Sequence, residues 1–262
     1  MSQPLLRVDS VSKRFGGLLA LAEVSFDVMP DRILGLIGPN GAGKTTIFNC
    51  IAGVLKPTSG DLLFDTGRDV RRTNGYKPEK MTELGVSRTF QNIRLFSELS
   101  VLDNVRIGRH CRTRCNFLSS VFRTQKQKDE EQEIVDRAMA WLRFVGLESK
   151  AFHQSTALAY GDQRRLEIAR ALSTEPRLLL LDEPAAGMNP YETKALVDLI
   201  HAIMDQGVTV VLIEHDMKLV MQICEHLVVL DHGAKIAEGG PRDIRENPQV
   251  IEAYLGRGAA DA

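Results

Sequence analysis

No apolar run among the 262 residues approaches the roughly 18 needed for a membrane-spanning helix. The opening Met1-Ser2-Gln3-Pro4 lacks the charged-then-apolar pattern of an export leader. The expectation is a soluble, cytoplasmic chain that meets a membrane only through a partner. Net charge is also nearly absent, with 33 Lys and Arg against 34 Asp and Glu and a formal charge of −1. Without a polybasic tail there is no electrostatic footprint for general nucleic-acid binding, so no nucleic-acid partner is expected. Cysteine is sparse: Cys50, Cys111, Cys115 and Cys224 contain no C-x-x-C pair. Cys111 and Cys115 could share a helix face, but only His110 stands near them as a further ligand. Free thiols in a reducing compartment are expected instead. A composition of 44% hydrophobic and 26% charged residues suffices for a sizeable core. Either one large α/β domain or a core with an inserted lobe fits that length.

What the chain does contain is organised around Gly38-Pro39-Asn40-Gly41-Ala42-Gly43-Lys44-Thr45-Thr46. The apolar run Ile33–Ile37 before it reads as a buried strand, and Ile47–Leu55 after it reads as a helix ending before Pro57. Strand, glycine loop and helix together match the phosphate-loop pattern G-x-x-x-x-G-K-[ST]. Gly38, Gly41 and Gly43 let successive backbone N–H groups face one anion, aided by the positive helix end. Lys44 is then placed for the β- and γ-phosphates, and the Thr45 hydroxyl for Mg²⁺.

Around this loop, Leu5–Asp9 and Ala22–Val28 alternate apolar and polar residues across Gly16-Gly17, predicting a small antiparallel sheet. Phe15 at the turn is either core or a ring available to stack on a base. Gly60–Asp65 reads as a further strand, Asp69–Lys80 as loop, and Ser87–Asn92 as a short β-like run that includes Gln91. From Val101 the pattern becomes helical, with a basic run (Arg106, Arg109, Arg112, Arg114) read as a solvated face. Ile134, Ala138, Trp141, Leu142 and Val145 recur at helical spacing up to Gly146. In Leu158–Leu172, an apolar stripe of Leu166, Ala169 and Leu172 predicts a helix with its arginines on the opposite side. The helix start near Tyr160-Gly161 is a second potential anion site.

Leu178–Leu181 is a strand buried on both faces, and Asp182 and Glu183 stand at its C-terminal end, where open α/β sheets bind ligands. An acid there suits Mg²⁺ coordination, and a second beside it can orient or deprotonate water. Gly207–Ile213 repeats the pattern and delivers His215 to the same crevice. Leu227–Leu230 and Lys235–Ala237 flank a turn at Asp231-His232-Gly233, and the stretch from Pro241 reads as short helices, the last starting at Pro248.

With the phosphate loop, Gln91, Leu158-Ala159-Tyr160-Gly161-Asp162, Asp182-Glu183 and His215 in this order, the chain resembles ABC-transporter ATPase subunits over nearly its whole length. The resemblance implies an α/β fold with a RecA-like P-loop NTPase core, an antiparallel β subdomain and an inserted α-helical subdomain. Residues 5–240 would form the ATPase domain, with the helical part about 86–170, and 241–262 a short helical tail. The segments Arg88–Phe96, Ala185-Ala186-Gly187 and Ile213–Lys218, the insertion around Asn116–Phe122 and the ending Asn247–Gly256 resemble the larger ATPase subunit of branched-chain amino acid importers. Urea or amide importers and the lipopolysaccharide-export ATPase are close relatives of that group.

The same resemblance implies roles. Phe15 would stack on adenine, and Gly38, Pro39, Asn40, Gly41, Ala42, Gly43, Lys44, Thr45 and Thr46 would hold the phosphates. Thr45, Gln91 and Asp182 would face Mg²⁺; Glu183, His215, Gln91 and Lys44 would be catalytic. Ala159, Tyr160 and Gly161, in the signature, would approach the ATP held by a second ATPase subunit, either another copy or a smaller paralogue. Membrane permease subunits, and indirectly a periplasmic solute-binding protein, would complete the machine at the cytoplasmic face of the inner membrane. The family signature reads Leu-Ser-Gly-Gly-Gln, whereas Ala159 and Asp162 stand here for Ser and Gln. Asp162 is expected to cap a helix starting at Gln163.

Overall fold

A computed structural model of the chain describes residues 3–109 and 125–258. The first two strands, β1 (Leu6–Phe15) and β2 (Leu18–Val28), form an antiparallel hairpin across Gly16-Gly17, with Leu6 opposite Val28. Both are longer than the alternation alone predicts. Next come β3 (Ile33–Ile37), α1 (Lys44–Ile51) and β4 (Ser59–Asp65). The stretch expected to be loop holds β5 (Val70–Arg72) and α2 (Pro78–Leu84). Pro at the first helical position and Gly85 in the left-handed conformation (φ 101°) delimit α2.

β6 (Val86–Arg88) is followed by α3 (Val101–Arg109), α4 (Gln125–Phe144) and α5 (Tyr160–Leu172). Then β7 (Leu178–Asp182), α6 (Pro190–Asp205), β8 (Thr209–Ile213), α7 (Met217–Ile223), β9 (His226–Asp231) and β10 (Ala234–Gly239) alternate. The described chain closes with α8 (Pro241–Glu246) and α9 (Pro248–Gly258). Cys111, Cys115, Arg112, Arg114 and the Asn116–Phe122 insertion lie outside the described residues.

Two sheets result. One is antiparallel, in the order β2-β1-β4-β5; the other runs β10-β9-β3-β8-β7-β6, parallel throughout except for β10. All residues of β3, β7 and β8 are buried, as strands covered on both faces must be. Val86–Arg88, placed by the sequence with the helical lobe, instead forms the edge of the parallel sheet beside β7. One core joins that sheet to α3–α7, while a second fills the space between the sheets and α1. Burial pushes the Cys50 thiol up to about 11 and the Cys224 thiol up to about 12, so both stay protonated in the core.

Candidate nucleotide site

β3 hands the chain to the phosphate loop in the middle of the parallel sheet, with β8 on one side and β9 on the other. Two glycines there are dictated by geometry. Gly38 has φ 145°, and a Cβ on it would lie 2.0 Å from the carbonyl oxygen of Leu230. Gly43 has φ 100°, and its Cβ would lie 2.8 Å from Ala20 O. Gly43 is also the N-cap of α1; no side chain caps that helix and no acid occupies its first turn, so its N–H groups remain for an anion. Lys44, starting the helix rather than preceding it, is buried and donates to the carbonyls of Gly38 (2.5 Å) and Pro39 (2.9 Å). The ammonium is thus folded over the loop it serves.

Beside the loop lies a cleft of about 520 Å³, lined by Phe15, Leu18–Ala20, Asn40–Thr46, Gln91, Glu183, His232 and Gly233. Phe15 is 45% exposed and stands on the cleft wall rather than in the core, with the Lys13 ammonium 5.0 Å from its ring centroid. Nothing in the local sequence pattern marks Leu18, Leu19, Ala20 or His232 as cleft residues. They arrive because Ala22 N–H bonds to Gly233 O, which brings the β9–β10 turn against the first hairpin. His232 (φ 46°) and Gly233 (φ 81°) both take the left-handed conformation of a tight two-residue hairpin.

At the end of β7 the acids face different partners. Asp182 is buried and forms an ion pair with Arg88 Nη2 at 2.6 Å. Glu183 adopts φ 47°, rare for a residue with a side chain, and its Oε2 accepts from Gln91 Nε2 at 3.0 Å. His215 Nδ1 lies 3.7 Å from the same oxygen, though His215 itself does not line the cleft. The buried Glu214 carboxylate accepts the N–H groups of Ala185 (2.9 Å) and His215 (3.2 Å), bracing the segment after Glu183 against the end of β8. Burial raises its pKa, partly offset by those N–H groups. Its position one residue past a buried strand was the signal that could have singled it out.

The signature does not join the cleft. α5 starts at Tyr160 with Ala159 as N-cap, so Asp162 lies inside the first turn and caps nothing. Its buried carboxylate is held instead by Lys150 and Arg165. Burial alone would raise its pKa, but these two cations hold it below the usual carboxylate range. Nor do all the α5 arginines face outward. Arg164 is fully buried and donates to the carbonyls of Phe90 (2.6 Å) and Gln91 (2.5 Å), while Glu167 accepts from Phe90 N–H at 3.3 Å. A helix that looked amphipathic therefore grips the Gln91 loop with a buried ion pair.

Thr45, Asp182 and the Gln91 amide offer hard oxygen donors, the type preferred by Mg²⁺. Among the described residues no cluster of three His, Cys, Asp or Glu could hold a metal alone. A cation at Asp182 would need phosphate oxygens to complete its shell, the usual Mg²⁺–nucleotide arrangement. The donors present fit that role.

Comparison with known proteins agrees with this geometry. Residues 21–186 match the ABC transporter family model, and residues 234–260 match the branched-chain amino acid ATP-binding cassette transporter model. The chain is 48% identical over 257 residues to the high-affinity branched-chain amino acid transport ATP-binding protein LivG of Escherichia coli, covering 98% of this chain and 99% of LivG. It has the same identity and coverage to BraF of Pseudomonas aeruginosa. An ATP-binding cassette of an ABC transporter solved in its ADP conformation superposes with TM-score 0.84 at 32% identity, covering 97% of this chain and 100% of that one. A dimeric cassette in a post-hydrolysis state, bound to ADP and Pi, superposes with TM-score 0.75 at 26% identity, covering 90% and 99%.

Proposed function

The chain belongs to the ABC transporter ATP-binding family, and we infer from that membership that it hydrolyses ATP to power uptake of branched-chain amino acids through a membrane permease. The observation that carries the reading is one edge of one sheet. There the phosphate loop, Gln91 and Glu183 line one cleft, with Asp182 buried one residue before Glu183 and His215 within reach of the Glu183 carboxylate. In this reading Phe15 supports the base, and the loop N–H groups with Lys44 hold the phosphates. Thr45, Asp182 and Gln91 would hold Mg²⁺, which when bound supplies charge neutralisation on the phosphates.

Glu183 accepts a proton from, or orients, the attacking water, and Gln91 fixes its carboxylate. In this reading His215, whose Nδ1 lies 3.7 Å from Glu183 Oε2, would meet the γ-phosphate. The separation of the signature from the cleft supports a composite site, in which Ala159, Tyr160 and Gly161 close on ATP held by a second ATPase subunit. No helix among the described residues is long and apolar enough to cross a membrane. In this reading the chain meets the membrane through the permease. A periplasmic binding protein would deliver the solute on the other side.

Two measurements test this. Glu183→Gln should still bind Mg²⁺-ATP but release phosphate about 10²-fold or more slowly, the usual loss for a positioned base. Vesicles carrying the permease and this subunit, supplied with the periplasmic binding protein, should take up leucine, isoleucine or valine only with ATP present. Unchanged turnover in the variant removes the role of Glu183, and uptake of urea in place of leucine replaces the solute.

A further inference from the structure

Arg88 lies at the end of β6, three residues before Gln91, and the nucleotide reading gives it no part. Its surroundings are unusual for a structural arginine. The side chain is 9% exposed and that of Asp182 3%, and they meet at 2.6 Å. Nη1 donates to Asn49 Oδ1 at 2.5 Å, on the helix that begins at Lys44. The guanidinium carbon sits 5.8 Å from the Phe48 ring and 5.5 Å from the Phe90 ring. Nε is buried and has no hydrogen-bond partner among the described residues. The group is therefore fixed by one carboxylate, one amide and two aromatic faces.

We propose that Arg88 is a resident counter-ion for Asp182, neutralising the carboxylate before nucleotide arrives and loosening from it when a divalent cation enters with the phosphates. The inference rests on the reading of Asp182 as a Mg²⁺-facing acid. A buried carboxylate without a cation is costly, so something must balance Asp182 in the nucleotide-free chain. Two cations on one buried carboxylate repel each other strongly in so poorly screened a site, so the second weakens the first. Asn49 and the two rings give the guanidinium a resting place once its grip on Asp182 loosens, because a cation over an aromatic face remains stabilised.

The exchange has a mechanical consequence. Thr89, next in the chain, accepts the Asp182 N–H on its hydroxyl (3.4 Å), and Gln91 reaches Glu183. Movement of Arg88 is thereby passed directly to the loop that presents Gln91. Arg88 is a positioning residue in this account, acting through Asp182 and the Gln91 loop.

The test is thermal unfolding of the full chain with ATP, once with EDTA and once with magnesium, in a Glu183→Gln background that preserves the nucleotide. Arg88→Met should unfold several degrees lower than its parent in EDTA. Magnesium should then raise its midpoint by about 4 °C or more beyond the rise seen in the parent, because the metal supplies the missing charge. A rise equal to or smaller than the parent's overturns the proposal and leaves Arg88 a static brace. Asp182→Asn separates the two levels of inference. Loss of the magnesium-dependent rise in that variant supports the site reading, whereas its full persistence sinks both. If Arg88→Met does not fold in EDTA, the pair Arg88→Met/Asp182→Asn should, since the uncompensated carboxylate is gone. Failure of the pair to fold also overturns the charge account.

Discussion

Asp162 is one of the departures from the family signature, and its contacts show where its charge is held. A carboxylate in the first turn of α5 is favoured by the helix dipole, and Lys150 with Arg165 neutralises it at its own site rather than leaving it to face phosphates. Its folded pKa lies below the ordinary value, so the stability it contributes is complete above the unfolded pKa and is lost as pH falls through the folded one. Asp162→Asn should therefore cost about 1–2 kcal/mol at pH 7 in chemical denaturation. That difference should shrink steadily below about pH 4, the unfolded carboxylate range. A penalty independent of pH would mean that shape, not charge, is what Asp162 provides. Phe15 makes a second residue-scale case, since its half-exposed ring stands on the cleft wall with the Lys13 ammonium over it. Phe15→Ala should raise the KM for ATP about tenfold with little change in kcat, and Phe15→Trp should restore it, given typical stacking contributions of ~1–3 kcal/mol. Equal binding of ATP by the alanine variant would remove the ring from the site.

Elements differ in how openly the sequence displays them, and the reason is range. The phosphate loop is legible because strand, turn and helix are contiguous and Gly38 and Gly43 answer to backbone positions no side chain fits. The buried strands Leu178–Asp182 and Thr209–Ile213 are legible because two covered faces demand unbroken apolar runs. α2 was hidden by its polar composition, although Pro78 and Gly85 mark both of its ends. β5 has three exposed residues and therefore no apolar pattern to read. His232 and Leu18–Ala20 reach the cleft only through contacts distant in sequence, which periodicity does not encode. Arg164 misled for a different reason. An arginine opposite an apolar stripe ordinarily faces water, yet here the Gln91 loop covers it and supplies carbonyl acceptors. That clamp makes α5 and the loop one unit. Arg164→Met should cost about 3 kcal/mol, because Glu167 is left buried with only the more distant Arg170 guanidinium, at 3.8 Å, to balance it. It should also speed hydrogen exchange at the amides of Phe90 and Arg94, both bonded to Glu167. Native exchange at those two amides would show that the loop holds its shape unaided.

At the scale of the whole molecule, the position of the signature is the informative fact. Tyr160 and Gly161 lie against Gly187 and Glu192, at the start of a helix that does not line the phosphate cleft. In the proposed composite site a second chain supplies the signature, and head-to-tail pairing of two copies makes two complete sites. This geometry predicts a pattern that no single-chain site produces. Lys44→Ala spoils the loop half, and Gly161→Val spoils the signature half; the latter must push aside the Glu192 carboxylate that caps α6 through Asn189 N–H, so its fold is checked by circular dichroism before mixing. Each variant alone should release almost no phosphate. In a mixed dimer, one site combines both lesions and the other combines two intact halves. An equimolar mixture should therefore regain roughly a quarter of wild-type activity, since half the dimers are mixed and half of their sites are whole. Recovery should vanish on dilution below the dimerisation range, because the intact site exists only between chains. A mixture as inactive as its components, at concentrations where native mass spectrometry shows mixed dimers, would require each chain to assemble its own site, and the separation of α5 from the cleft would then need another explanation.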